Sequence, residues 1–334
     1  MNKRERLEAT IRGEAVDRLA VALWRHFPVD DQGPVDLAAS SVAFQRQYDF
    51  DFVKVTPASS FCVKDWGAED VWQGEPEGTR AYTTRPVRTP DDWRALPPLD
   101  PRAGGLGAQL RCLELVRAEM APEGAPLGNG VPFIQTIFNP LSQAKNLAGR
   151  ELSLVHMRRD PAAFKAGLET ITQSSVRFIQ EASQTGIAGI FLAVQHASYA
   201  LMSEAEYAEF GRPYDLRLLE AAAPLWLNVL HVHGEEVMFD LLADYPVQVW
   251  NWHDRETAPS LKEALSKVKG AVCGGLERDA TMLLGSPEQV REKIADAVRQ
   301  TGGRRYIIGT GCVTRVTTPM GNLRAARAAA EAET

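Results

Sequence analysis

Cysteine and histidine are scarce in this chain, at four and six of 334 residues. Cys62, Cys112, Cys273 and Cys312 stand far apart and are too few to staple a chain of this size, which excludes a disulfide framework and predicts reduced thiols. Long apolar runs are missing as well. None approaches the roughly 20 residues that a membrane span requires. The opening "MNKRERLEATIRGEAVDR" reads as a charged amphipathic helix rather than a signal peptide, so the expected location is the cytoplasm, away from any membrane. Positive charge is not in excess. Lys and Arg number 37 against 43 Asp and Glu, a net charge of −6, which leaves no basic face for phosphates and speaks against a nucleic-acid partner. Internal repeats, low-complexity tracts and an interdomain linker are also lacking, so one domain over 1–334 is expected.

What is present is an ordinary globular composition, 45% hydrophobic and 24% charged. Eight short apolar runs alternate with longer helical patterns: 21–26, 52–57, 132–138, 189–194, 226–233, 247–253, 271–276 and 305–312. Between them, the stretch from Asp160 keeps Phe164, Leu168, Ile171, Phe178 and Ile179 on one face and stops at Gly186. Another helix is expected from an N-cap at Ser286, with Pro287 in its first turn and Gly302 after its end. Eight strands with interposed helices predict a (β/α)8 TIM barrel in preference to an open doubly wound sheet. The proline-rich stretch 58–131, between the second and third strands, is far longer than a usual connection and reads as an insertion or lid over the barrel mouth.

Barrels of this kind carry their reacting groups at the C-terminal ends of the strands. Five of the six histidines, His26, His196, His231, His233 and His253, fall at or just beyond such ends; His156 lies in a helical pattern. His231 and His233, in "NVLHVHGEE", are two apart on one strand and therefore point to the same side. If that side is the lumen they can share a metal ion. Catalytic zinc takes three protein ligands, and Cys312, ending "IIGTGC", is the best third ligand. The plainer alternative keeps His-x-His as a strand end and Cys312 as a small buried apolar side chain. His253 and Asp254, in "NWHDRE", are candidates for proton transfer, or for a carboxylate that orients a ligand imidazole. Arg25 and His26, in "LWRHF", together with Gln135, Gln195, His196 and Tyr199, are candidate substrate contacts, Arg25 for a carboxylate.

Several longer motifs go further: "RLEATIRGEAVDRLAVALWR", "FNPLSQAKNLAG", "MSEAEYAEFGRPY", "GSPEQVREKIADAV" and "IIGTGCVTRVTTPMGNLRAA". On these, over nearly its whole length, the chain resembles the uroporphyrinogen decarboxylase superfamily. That superfamily also contains corrinoid-dependent methyltransferases and relatives of the catalytic half of cobalamin-independent methionine synthase. The resemblance implies a (β/α)8 barrel with its pocket at the C-terminal mouth. True decarboxylases carry two arginines in a "RQAGR" motif on the first strand and an aspartate at the end of the second. Here only Arg25 remains, and the second strand ends in "VTPAS". The methyltransferase branch holds zinc through a His-x-Cys pair after the fifth strand and a cysteine near the eighth. His231 and Cys312 match two of those ligands, and His233 stands where the pair's cysteine would be. Exchanging one thiolate for imidazole leaves more net positive charge on the metal, a stronger Lewis acid.

The expected function is a zinc-dependent methyltransferase that moves a methyl group between a small substrate and a corrinoid or thiol acceptor, with Asp254 or His253 handling the proton. A corrinoid would be carried by a partner protein, and the resemblance implies a homodimer. Two alternatives stand beside it. One is a metal-free, decarboxylase-like lyase acting on a carboxylated substrate held by Arg25; the other is a non-catalytic corrinoid or porphyrin receptor.

Overall fold

The structure, a computed structural model, describes residues 1–121 and 130–332. Its strands in chain order are β1 (Ala20–Val21), β2 (Val53–Val55), β3 (Glu69–Val71), β4 (Ala81–Thr84), β5 (Phe133–Phe138), β6 (Gly189–Val194), β7 (Val229–Val232), β8 (Val249–Trp252), β9 (Ala271–Leu276) and β10 (Tyr306–Thr310). Eight of them form one parallel sheet in the order β1-β10-β9-β8-β7-β6-β5-β2, with helices between successive strands, which is a (β/α)8 barrel. All eight overlap the apolar runs of the sequence, but the regular ladders are shorter. Pairing of the first strand stops at Val21 and resumes only at Arg25, which bridges Thr314.

The barrel closes between β1 and β2 through one carboxylate. The Asp51 backbone N–H donates to the Val21 carbonyl at 2.8 Å, and the Val21 N–H donates to Asp51 Oδ2 at 2.8 Å. Asp51 is fully buried and also accepts from Arg6 Nη1 at 2.7 Å and Arg18 Nη1 at 2.8 Å. A buried charge is tolerated only when it is paired and its lone pairs are satisfied, and both conditions hold here. Because Asp51 precedes β2, this seam lies on the face opposite the mouth, where barrels keep their structural residues.

Helix termini follow the expected chemistry. Asn2 caps Lys3–Arg12 in a capping box with Glu5, and Asp160 caps Pro161–Gln184. Ser286 and Gln289 form a capping box on Pro287–Thr301, and Gly302 closes that helix in the left-handed conformation. Two motifs of the family resemblance meet at another buried carboxylate. Asp215 accepts from Asn139 Nδ2 at 2.9 Å, from the Tyr245 hydroxyl at 3.0 Å and from the Tyr207 hydroxyl. These conspicuous residues therefore tie helices to the sheet. Burial pushes the Asp215 carboxyl up to about 6, so the folded chain holds a proton there that the unfolded chain has released. That contribution to stability is present below about pH 4 and is lost as pH rises through about 6. Asp215→Asn is expected to flatten this part of the stability-versus-pH curve, measured by urea unfolding; an unchanged curve would exclude Asp215 as its source.

Of the stretch 58–131, residues 58–121 and 130–131 are described, and 122–129 lie outside the described residues. It contains the antiparallel hairpin β3–β4, the short helix Pro90–Ala95 and the helix Gly104–Met120. The last of these packs against the helix Pro34–Tyr48 as the crossover helix between β2 and β5.

Candidate metal centre

A cavity of about 600 Å3 opens at the C-terminal mouth. Its floor carries His231 on β7, His233 one residue beyond it, and Cys312 two residues beyond β10; Trp24, Lys54, Thr136 and Phe191 come from neighbouring strands. Glu77 to Tyr82, spanning the hairpin turn and β4, form part of its wall.

His231, His233, His253 and Cys312 bring one ligand atom each to within 4.8 Å of one another. His231 Nε2 lies 3.4 Å from His233 Nδ1, and Cys312 Sγ lies 3.6 Å from the same nitrogen. Tetrahedral zinc, with bonds of about 2.0–2.1 Å to nitrogen and about 2.3 Å to sulfur, sets two nitrogens about 3.3 Å apart and nitrogen and sulfur about 3.6 Å apart. The two separations match the edges of that tetrahedron.

Hydrogen bonds aim the free lone pairs at the same point. Asn251, fully buried on β8, donates its amide to the carbonyls of Cys273 (2.8 Å) and Thr310 (2.9 Å), so its oxygen is left to accept. His231 Nδ1 lies 2.7 Å from that oxygen and must carry the proton, leaving Nε2 as the ligand atom. His253 Nδ1 donates to Glu256 Oε2 at 2.9 Å, and His253 Nε2 is buried without a hydrogen-bond partner. A buried lone pair without a donor is costly, and a metal ion removes that cost. Burial, with the neighbouring imidazoles, holds His231 well below the usual histidine range, and burial brings His233 down to about 4, so both are neutral and fit to bind metal. Cys312 reaches the group because Gly311 has no side chain. A Cβ there would lie 2.6 Å from His253 Cα and 2.8 Å from the Trp252 carbonyl. Replacing either orienting partner, by Asn251→Ala or Glu256→Gln, is expected to weaken metal affinity by about 10- to 100-fold, read by competition with a chromophoric chelator. Affinity equal to the parent protein would mean that these bonds do not set the rings.

The other expected site residues divide by strand parity. Trp24 and His26 face the cavity, while Arg25 between them turns outward, donates to the Val316 carbonyl at 3.0 Å and lies over Phe27 and Phe44. It is therefore not placed to hold a substrate carboxylate in this cavity. Likewise, Thr136 and Phe138 line the cavity and Gln135 does not; Gln135 accepts from Gln109 at 2.8 Å. Gln195 is on the wall and accepts from Lys145 at 2.7 Å, whereas His196 is buried outside it. Tyr199 is exposed and bonds Glu204. Asp254 points away from His253 to the Gly275 N–H at 3.1 Å, so it cannot pass a proton to the cavity as expected. Two residues were not anticipated, Asn251 and Lys54, each a lone polar side chain inside an otherwise apolar strand run.

The sequence signature described as Uroporphyrinogen decarboxylase (URO-D) matches residues 31–332, and the chain belongs to that family. It is 25% identical over 235 residues to a uroporphyrinogen decarboxylase of Prochlorococcus marinus, covering 68% of this chain and 63% of that protein. It is 26% identical over 199 residues to a methylated-thiol–coenzyme M methyltransferase of Methanosarcina mazei, covering 58% of this chain and 52% of that one. The chain thus matches less than two thirds of the length of either relative. Among solved structures, a methyltransferase from Methanosarcina mazei superposes with a TM-score of 0.82 at 17% identity over 99% of both chains. A B12-independent methionine synthase from Shewanella superposes at 0.62 with 13% identity, over 96% of this chain and 97% of that one. At these identities the two structures establish the shared fold.

Proposed function

We propose that this protein is a zinc-dependent methyltransferase that moves a methyl group between a small substrate and a thiol or corrinoid acceptor. The carrying observation is the match of the His231, His233 and Cys312 separations to zinc tetrahedron edges, beside the orphaned Nε2 of His253. In this reading His253, rather than carrying a proton, is a fourth ligand while no substrate is bound, and an acceptor thiol would reach the metal by displacing it or by adding a fifth position. His253 is not among the residues lining the cavity, so the other three present the metal to substrate. Bound zinc supplies Lewis acidity that lowers the pKa of an acceptor thiol. The chain's residues orient that metal through Asn251 and Glu256 and surround it with Trp24, Phe191 and Val313, which limit water at the floor.

The names of the relatives support methyl transfer, and the corrinoid, where one takes part, is assigned to a partner protein. The stretch 58–131 is assigned the role of a lid, because its hairpin supplies cavity wall. We place the protein in the cytoplasm, where its four unpaired cysteines stay reduced. Among the described residues no helix is long and apolar enough to cross a membrane, and the homodimer is carried over from the family resemblance alone. The lyase alternative is named by the decarboxylase relatives, but Arg25, its carboxylate anchor, faces away from the cavity.

The test is zinc-loaded protein incubated with methylcobalamin and a small thiol, following loss of the methyl–cobalt absorbance. Demethylation that stops on chelation and returns with zinc is expected. Carbon dioxide release from a carboxylated substrate that survives chelation would contradict the reading.

A further inference from the structure

Cations and carboxylates are unevenly distributed in the cavity. Lys54, the middle residue of β2, is 6% exposed. Its ammonium donates to Thr56 Oγ1 at 3.1 Å and lies 4.5 Å from the centroid of the Phe191 ring, which in turn stacks on His231 at 5.1 Å. On the helix Pro140–Ala148, which follows the neighbouring strand β5, the Lys145 ammonium bonds the neutral Gln195 amide. Among the described residues, neither lysine has a carboxylate within ion-pair distance. The two carboxylates in the lining do not supply one. Glu77 is 3.2 Å from Arg278 Nη1 and 3.3 Å from Arg315 Nη1, and Glu151 is exposed at the rim.

A buried ammonium without a counter-charge is costly, and lysine in such a place gives up its proton readily. Burial pulls Lys54 down to about 7, and burial with Arg150 and Arg85 pulls Lys145 down to about 8. An anion beside Lys54 would repay the desolvation of the charged form.

We propose that Lys54 is the specificity-determining residue of the cavity, receiving a carboxylate of a substrate whose other end reaches the His231–His233–Cys312 floor. The substrate class is then a short thiol or thioether acid, a few bonds from sulfur to carboxylate, with Lys145 available to a second acidic group nearer the rim. This rests on the methyltransferase reading for the sulfur end and on Lys54 alone for the acid end.

The experiment is calorimetric titration of the metal-loaded protein with 3-mercaptopropionate and with its neutral amide, alongside a metal assay of the same sample. The acid is expected to bind at least about tenfold more tightly than the amide, as a charge-assisted hydrogen bond requires. At pH 8 the acid is expected to release fewer protons on binding than the amide, read from the buffer dependence of the two enthalpies, because both give up the thiol proton and only the acid keeps Lys54 protonated. Lys54→Met is expected to erase both the preference and the acid–amide difference in proton release with metal content unchanged, and Lys54→Arg to keep the preference. Equal binding of acid and amide by the parent protein overturns the assignment without any variant and leaves the metal centre standing. Preference for the acid in a protein that takes up no metal upholds Lys54 and overturns the zinc reading instead.

Discussion

Cys312→Ser protein is expected to purify without its metal and without methyl transfer. Four-ligand sites hold zinc with about 10–16 kcal/mol at neutral pH, and one ligand's share of that corresponds to an affinity loss of about a hundred- to a thousandfold. The thiolate is also the only anionic ligand of the four, so its removal leaves three neutral imidazoles to face a doubly charged ion. His233→Ala is expected to behave alike, because His233 Nδ1 shares an edge with both His231 and Cys312. The fold is expected to survive both changes, since the cluster lies at the mouth and the seam of the barrel at the other end. Metal content by plasma mass spectrometry and far-ultraviolet dichroism together check this. Full metal occupancy in Cys312→Ser would remove sulfur from the ligand set.

Asp51→Asn is expected to cost about 3–5 kcal/mol of stability, the usual penalty for breaking a buried ion pair. The amide can still accept from the Val21 N–H, but it leaves Arg18 buried beside a neutral group and Arg6 with Asp17 as its remaining carboxylate. Among the described residues Arg18 has no second carboxylate, so most of the cost arises there. The urea midpoint should fall with little change in slope, while metal affinity at the opposite end stays as it was. A loss under about 1 kcal/mol would mean that the β1–β2 seam is held by backbone pairing and packing rather than by this carboxylate.

The barrel was legible because its eight runs repeat with helical patterns between them, and the His231 and His233 pair was legible because strand side chains repeat every second residue. The same parity separates adjacent residues. Arg25 and His26 cannot both face the mouth, nor can His253 and Asp254, and in each pair the residue taken for chemistry included one that faces away. Asn251 is two residues before His253 and faces the same side, so parity pointed to it once His253 was placed. His253 as a ligand was harder to read. Its membership depends on the close approach at Gly311, which no spacing along the chain announces. Lys54 carried a plain signal, a single charge within "FVKVTP", but its meaning depended on which neighbours lacked charge.

The most direct measurement is X-ray absorption at the zinc edge on untagged protein, with metal counted in the same sample. The account predicts one zinc per chain in a shell of three nitrogens at about 2.0–2.1 Å and one sulfur at about 2.3 Å. No zinc after reconstitution, or a shell without sulfur, would contradict it.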